Sequence, residues 1–406
     1  MRPLEGIKVV ELGTHVAVPA AARLFADWGA RVIKVESPTG DLWRQFGVNC
    51  NAPTTDEENP VFSIPNSNKE IIALNLKSEE GKAVLLRLLE DADVFMTNVR
   101  GDALRRLGLD YDRLKDAFPR LVYFHFTAYG TEGPQASMPG FDVAAFWAAG
   151  GGMADWPSVE GATMAPGSAF GDTSVSATVA SGILAALLGA QRTGKGRFLT
   201  TSLYAASLWY NHADIICRQP QYNAPRHVIP GHISNPFSRT YVCKGGARVL
   251  LGGINFRIAW PRGLKVLGLE EYLDDPRYNT QQAFWENGQP VTERCEALFL
   301  TKTAEEWVEL FLAADVVAQK VVSAGEIPDS VQAWVNGYLT EVDYPTTGNK
   351  TVLPNTPVKF EGAEPAFTGA VGGIGCNSRA VLRRCGYSEE EIALLERSGA
   401  VVSGDE

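Results

Sequence analysis

The chain has 406 residues, enough for a large core or two domains, and its 45% hydrophobic and 21% charged residues are typical of a globular protein. Its net charge is −10 and no run of lysines and arginines interrupts the acidic balance, which argues against nucleic acid as a partner. Six scattered cysteines without CxxC or Cys/His spacing are typical of reduced thiols. We therefore expect a cytoplasmic protein that binds neither a metal nor nucleic acid.

Strand and helix patterns alternate in the first part of the chain. β-rich runs lie at 7–12, 31–36, 71–76, 94–97 and 121–127, and helical segments such as 19–28 and 78–90 lie between them. Ser78 is a typical N-cap for the second of these helices. The alternation predicts an α/β fold with a Rossmann-like open, largely parallel sheet covered by helices on both faces.

Residues 175–190 form the longest apolar stretch and predict a buried helix. The stretch is shorter than a membrane span and contains Ser176, Thr178 and Ser181, so we expect no membrane-spanning segment. The first six residues lack the apolar core of a signal peptide.

Asp172 follows Gly171 immediately before this apolar stretch. A carboxylate at a helix start faces unpaired N–H groups and the positive end of the helix dipole, so we expect an ionised, oriented side chain at the N-cap. That geometry suits a nucleophile and an ordinary helix cap equally well.

The pattern changes after about residue 210. A polar segment is followed by a hairpin-like run at 239–251 and helices at Phe256–Leu267 and Ala304–Ala313, which predicts a smaller α+β domain. Strand-like pieces at 352–353 and 358–360 and a final helix at 388–398 are expected to return to the first domain. The predicted boundaries are therefore a large domain of 1–215 and 330–406, a small domain of 225–325, and linkers at 216–224 and 326–329.

Two common enzyme classes are disfavoured. Gly13 and Glu36 follow the first and second strands as in dinucleotide-binding folds, but the second and third glycines of that motif are missing. No GxSxG motif marks a serine hydrolase. His15 lies at the carboxyl end of the first strand, where open α/β sheets bind their ligands, and is a candidate binding residue.

Polar residues follow two further strands. Lys77 follows the third strand, and Asn98, Arg100 and Arg106 follow the fourth, so these side chains could meet phosphates at the carboxyl edge of the sheet. The alternative is that Arg106 belongs to a solvated helix face.

Linked motifs in consistent order cover most of the chain. They lie at 9–12, 26–36, 68–77, 92–108, 129–134, 171–172, 182–187, 193–197 and 386–392. With these motifs the chain resembles the class III CoA-transferases, the family of formyl-CoA:oxalate and carnitine CoA-transferases.

The resemblance implies two domains per chain and two chains interlocked in a homodimer. It implies acyl-CoA and carboxylic acid substrates, with coenzyme A as a substrate rather than a permanently bound cofactor. Asp172 corresponds to the aspartate that forms an acyl anhydride and then a CoA thioester. Asp142 matches an acidic active-site residue of the oxalate-type enzymes. The positions that match CoA-binding residues are Val16, Ala17, Leu74, Lys77, Asn98, Val99, Ala103 and Arg106.

Departures from the family pattern indicate which of the family's activities this chain has. The related 2-methylacyl-CoA racemases carry a catalytic histidine where this chain has Phe141. Phenylalanine cannot accept a proton, so racemisation is the disfavoured alternative and would need a displaced base such as His125. The glycine-rich lid of the oxalate-type enzymes is absent, and its nearest counterpart is 230–236. Segments 97–100 and 108–111 are similar to transferases of 2-hydroxy acids such as phenyllactate and 2-hydroxyisocaproate.

Two further interpretations stay open. Aromatic residues near the expected site suggest an apolar acyl pocket, although such spacing is also typical of core residues; they are Phe141, Phe146, Trp147 and Trp156. A reading of another class is a non-catalytic acyl-CoA-binding protein in which Asp172 only caps its helix.

Overall fold

The computed structural model describes residues 2–155, 167–222, 233–361 and 370–404. The chain divides into two compact units, one of Met1–Tyr222 with Val331–Glu406 and one of Asn223–Ser330. Each unit has a hydrophobic core of its own.

The strands and helices are as follows. The strands are β1 (Lys8–Leu12), β2 (Arg31–Glu36), β3 (Glu70–Leu74), β4 (Val94–Thr97), β5 (Val122–Thr127), β6 (Phe198–Ser202), β7 (Thr240–Val242), β8 (Arg248–Leu251), β9 (Ala318–Lys320), β10 (Leu339–Tyr344), β11 (Asn349–Pro354) and β12 (Val401–Val402). The α-helices are α1 (Ala17–Asp27), α2 (Pro60–Asn66), α3 (Glu79–Leu89), α4 (Gly101–Leu107), α5 (Tyr111–Leu114), α6 (Gly152–Asp155), α7 (Phe170–Thr193), α8 (Leu203–Tyr210), α9 (His212–Cys217), α10 (Phe256–Leu267), α11 (Gln281–Asn287), α12 (Gln289–Phe299), α13 (Ala304–Ala313), α14 (Val331–Val335), α15 (Ser378–Arg384) and α16 (Glu389–Arg397). Short 3₁₀ segments cover Leu42–Cys50, Glu270–Tyr272 and Ala324–Asp329, and a π-helix covers Asp142–Ala148.

The large unit is built on a seven-stranded sheet of order β12-β3-β2-β1-β4-β5-β6. All neighbouring strands are parallel except β12, which runs antiparallel to β3. The predicted α/β fold with a mostly parallel sheet is confirmed. The strand order reverses between β1 and β4, and the crevice at such a reversal is where open α/β sheets bind ligands.

Helices cover both faces of this sheet. On one face, α1 and α7 pack on β4 and β5 through Phe25, Val179, Ile183, Met96 and Phe124. On the other face, the cluster that contains Leu85, Leu104, Leu382 and Ile392 covers Val10, Phe95 and Tyr123. Because both faces are buried, strands β1 to β5 are nearly continuous buried runs rather than alternating ones, whereas the edge strand β6 alternates.

The C-terminal segment completes the large unit. Val401 pairs with Leu74, so β12 extends the sheet beyond β3. The strand-like piece at 352–353 lies in β11, which forms a hairpin with β10. The expectation of a strand at 358–360 is wrong, because no strand is assigned at these residues.

The small unit joins the antiparallel sheet β7-β8-β9 to helices α10 to α13. The hairpin predicted at 239–251 corresponds to the pairing of Thr240 with Leu250. Its core is unusually aromatic, with Tyr241 stacked on Phe299 at a centroid distance of 4.1 Å.

Within the described ranges one helix, α7, is long and apolar enough to cross a membrane by length and composition alone. Core helices of globular proteins meet the same criterion. Val175, Val179, Ile183 and Leu187 of α7 are buried in the cluster shared with α1, which is the position of a core helix.

Candidate active site

The loops that follow β1 and β4 meet at the carboxyl edge of the sheet. The Asn98 side chain ties them together, since its Nδ2 donates to the carbonyl of Thr14 (2.8 Å) and its Oδ1 accepts from the Thr14 N–H (3.0 Å). Val16 and Ala17 begin α1 directly after this link, and no side chain caps the helix there. Pro19 has no N–H and the Ala20 N–H donates to the Val16 carbonyl, so the N–H groups of Ala17 and Val18 are the ones left for an anionic group.

The remaining expected CoA-binding residues surround this crevice on either side. Ala103 and Arg106 lie on α4, directly after β4, and Lys77 lies just beyond β3. Since β3 is three strand spacings from β4, the set spans about 14 Å. Leu74 is 1% exposed, so its side chain belongs to the core and only its main chain is available to a ligand.

The cations at this edge are exposed. Lys77, Arg100 and Arg106 make no ion pair within the part of the chain that the structure describes, whereas Arg105 pairs with Asp102. Unpaired cations around a helix N-terminus suit a phosphorylated ligand.

Asp172 lies in the first turn of α7 but does not cap it. The N-cap is Ala169, which adopts a left-handed conformation (φ +58°), and no side chain caps the helix. The expectation that Asp172 is the N-cap is therefore wrong, because the chain enters the helix at Phe170, two residues earlier.

Asp142 lies directly against the start of α7. Its Oδ1 atom is so close to Gly171 that a Cβ on that glycine would fall 2.2 Å from it. Asp142 is 5% exposed, and neither of its carboxylate oxygens makes a hydrogen bond of ordinary geometry within the described residues. Burial raises the pKa of Asp142, and the nearby Gly171 N–H and Trp147 indole offset only part of this effect.

The charge of Asp142 acts on Asp172. Burial and, to a smaller extent, the negative charge of Asp142 together raise the pKa of Asp172 to about 7. The expectation that the helix start keeps Asp172 fully ionised is wrong, since loss of hydration outweighs the first-turn N–H groups. Near neutral pH, Asp172 therefore exists in both protonation states.

His15 and Phe141 are brought together. The His15 ring meets the Phe141 ring edge-on at a centroid distance of 5.4 Å, and Phe141 immediately precedes Asp142. Phe141 is 63% exposed, so its ring is available to a ligand. His15, Phe141 and Asp142 were all predicted as possible substrate-site residues, and the ring contact links the first two.

Of the other aromatic residues expected to line an acyl pocket, two belong to the core. Phe146 and Trp147 are buried in the core cluster of the large unit, and Trp156 lies outside the described residues. The segment 230–236, the counterpart of the lid, is described only from residue 233.

A buried ionic network beneath the β1 loop was missed from the sequence. Lys34 Nζ donates to Glu11 Oε1 (3.1 Å) and Asp41 Oδ2 (2.9 Å), and Lys69 Nζ donates to Glu11 Oε2 (2.6 Å). The available signal was a charged residue inside each of two apolar strands, Glu11 in β1 and Lys34 in β2.

His125 is engaged elsewhere. Its Nε2 lies 2.9 Å from the carbonyl oxygen of Val99, and burial lowers its pKa. Among the described residues no group of three or more His, Cys, Asp or Glu side chains could hold a metal ion.

Comparison with known proteins gives a consistent answer. Residues 4–371 match the model of CoA-transferase family III. The chain is 36% identical to (R)-2-hydroxy-4-methylpentanoate CoA-transferase of Clostridioides difficile, over 98% of this chain and 99% of that protein. It is also 36% identical to cinnamoyl-CoA:phenyllactate CoA-transferase of Clostridium sporogenes, over 97% and 95% of the two chains.

A solved structure shows the same fold. The crystal structure of a CaiB/BaiF family protein from Brucella suis superposes with a TM-score of 0.81 at 25% identity and covers 95% of this chain and 99% of that one. With its mostly parallel sheet and its match to the family model over nearly the whole length, the chain belongs to CoA-transferase family III and is an enzyme of that family.

Proposed function

We propose that the protein transfers CoA from an acyl-CoA donor to a 2-hydroxy carboxylic acid, with Asp172 as the nucleophile. The observation that carries the proposal is the pair of adjacent carboxylates, Asp172 in the first turn of α7 and buried Asp142 against Gly171. The two relatives at 36% identity are named for a branched and an aromatic 2-hydroxy acid, which supports this substrate class.

The reaction divides into steps in which the Asp172 carboxylate carries first the acyl group and then CoA. A carboxylate oxygen of Asp172 attacks the donor thioester carbonyl, the C–S bond breaks, and CoA thiolate leaves behind a mixed anhydride. The thiolate then attacks the aspartyl carbonyl, which releases the donor acid and forms an aspartyl–CoA thioester. The acceptor carboxylate reverses both steps. Covalent catalysis thus replaces one slow exchange by easier ones.

The environment of Asp172 suits this role. A carboxylate with a pKa of about 7 is more basic than an ordinary aspartate, yet a substantial fraction is ionised at neutral pH. Because burial is the main cause of the shift, the same groups that raise the pKa keep water from the anhydride and the thioester.

The CoA moiety is expected at the β1–β4 crevice. The N-terminus of α1, which no side chain caps, suits an anionic group of the ligand, and the cations Lys77 and Arg106 follow strands β3 and β4. The proposed binding set is Val16, Ala17, Leu74, Lys77, Asn98, Val99, Ala103 and Arg106. Coenzyme A is a substrate in this scheme, and no permanently bound cofactor is required.

We also propose a homodimer in the cytoplasm. Exposed apolar side chains on α7, α8 and α9 include Leu188, Trp209 and Ile216, at 50%, 73% and 48% exposure, and a second copy would cover them. An interlocked arrangement is the form that the family resemblance implies.

The alternatives have less support. A racemase would need a second base where Phe141 stands, and His125 is engaged with the Val99 carbonyl. A non-catalytic binding protein would need Asp172 only as a helix cap, but the N-cap is Ala169.

One experiment separates the three readings. The protein is incubated with 2-hydroxy-4-methylpentanoyl-CoA, trapped with hydroxylamine or borohydride, and mapped by mass spectrometry. We expect a modification at Asp172 that Asp172→Asn abolishes while CoA binding persists. The control Asp112→Asn changes an exposed first-turn carboxylate of α5 and should keep the modification.

Deuterium uptake at the α-carbon without a modified residue would support racemisation instead. Binding of the acyl-CoA with neither result would contradict both enzymatic readings.

A further inference from the structure

His15 has a constrained backbone. Its φ of +62° lies in the left-handed region, which a residue with a Cβ rarely adopts. Its N–H donates to Asp41 Oδ1 at 3.0 Å, and the same oxygen accepts the Trp43 N–H at 3.0 Å. Asp41 therefore holds the loop after β1 and the start of the Leu42–Cys50 segment together.

Asp41 is itself fixed from below. Its second oxygen accepts from Lys34 Nζ at 2.9 Å, and the same ammonium donates to Glu11 and to the Gly13 carbonyl at 2.9 Å. Burial opposes ionisation of Asp41, but Lys34 and the two N–H groups outweigh it and lower its pKa. A buried charged network contributes little net stability, so its effect on geometry is the informative property.

This network fixes the loop that carries the His15 ring. It meets Phe141 and Trp43 edge-on at centroid distances of 5.4 and 6.3 Å, and Trp43 stacks on Phe46 at 3.9 Å. The imidazole nitrogens make no hydrogen bond with any residue that the structure describes. One polar ring without a hydrogen-bond partner among the described residues thus stands among apolar rings, one of which belongs to Phe141, the residue before Asp142.

We propose that His15 is a specificity-determining residue that hydrogen-bonds the 2-hydroxyl group of the acid, and that Asp41 is the positioning residue that holds it there. The proposal rests on the proposed function. If the carboxylate carbon lies at Asp172, the hydroxyl is one carbon away and the rest of the acid is apolar. A single polar group among aromatic rings matches a single hydroxyl on an apolar acid.

The test compares a 2-hydroxy acid with its deoxy analogue. CoA transfer to (R)-2-hydroxy-4-methylpentanoate and to 4-methylpentanoate is measured for the wild type, His15→Asn and Phe141→Leu. Asparagine tolerates the left-handed conformation, so His15→Asn shortens the polar group without releasing the loop. Phe141→Leu is the companion variant, since it changes the same pocket and keeps both imidazole nitrogens of His15.

We expect the wild type to prefer the hydroxy acid. His15→Asn should reduce kcat/KM for the hydroxy acid roughly 10-fold while changing the deoxy acid less than about 2-fold. Phe141→Leu should affect both acids alike, because it removes only apolar contact.

A merely structural role for His15 predicts something different. Equal losses on both acids in His15→Asn, or a wild type that does not distinguish them, would overturn the inference while leaving CoA transfer intact. Failure of the wild type to transfer CoA to either acid would refute the proposed function, and the inference with it.

Discussion

The Oδ1 atom of Asp142 lies against Gly171, where a Cβ would come within 2.2 Å of it and within 2.6 Å of Phe146 Cγ. The glycine is therefore what allows the buried carboxylate of the π-helix to approach the first turn of α7. Because Asp172 follows this glycine directly, the same close approach brings the two carboxylates into electrostatic contact.

The first prediction concerns this approach. Gly171→Ala should displace Asp142 or the helix start, lower kcat by roughly 100-fold and destabilise the fold by about 1–3 kcal/mol. Both effects are measured by steady-state kinetics and thermal unfolding. Gly182→Ala is the matched control on the same helix, since its Cβ would meet only Leu199 Cδ1 at 3.5 Å. That variant should keep full activity, and an equal loss in both variants would contradict the argument.

The second prediction is the pH dependence of transfer. Only ionised Asp172 is a nucleophile, so kcat/KM should rise about 10-fold per pH unit on the acidic side and level off above a pKa of about 7. Asp142→Asn removes one negative neighbour, so the midpoint should move to lower pH. Since burial is the larger cause, the midpoint should stay above that of an ordinary aspartate. An acidic limb that Asp142→Asn leaves in place or moves upward would show that Asp142 does not act on Asp172.

The third prediction concerns the phosphate groups of CoA. Arg106 is exposed and has no ion-pair partner in the described ranges, so Arg106→Gln should raise the Kd for CoA roughly 10-fold and weaken its dependence on salt. Arg105→Gln is the neighbouring control, because Arg105 is already paired with Asp102. Isothermal titration at two salt concentrations measures both variants. Equal effects of the two substitutions on the Kd would indicate that CoA responds to the overall positive charge and not to a direct contact with Arg106.

The fourth prediction concerns the buried network. Asp41→Ala leaves Lys34 with one carboxylate partner in place of two and should cost about 3–5 kcal/mol of unfolding free energy. Lys350→Gln breaks exposed pairs with Glu341 and Asp343 and should cost less than about 1 kcal/mol. Denaturant unfolding compares the two variants. Similar small losses would mean that the network does not hold the loop that carries His15.

Much of the fold follows from local patterns. Strands β1 to β5 were expected within a few residues of their observed bounds because each is a short apolar run, whereas the edge strand β6 was not expected. The start of α3 was marked by Ser78, which accepts the Gly81 N–H. The piece at 358–360 alternates apolar and polar residues as a strand would but forms none, since strand formation needs a partner edge that local sequence does not specify.

By itself the sequence determined the α/β class, the family motifs and the identity of Asp172 as the candidate nucleophile, because periodicity and motif order are properties of the linear chain. Only the tertiary structure decided the chemical state of that aspartate. Its raised pKa comes from burial and from Asp142, a residue thirty positions away in sequence. Likewise, Lys34, Asp41, His15 and Phe141 form one connected arrangement only after the β1 and β2 strands pair and their loops meet. Hydration and charge interactions depend on distance in space, and distances of this kind cannot be read along the chain.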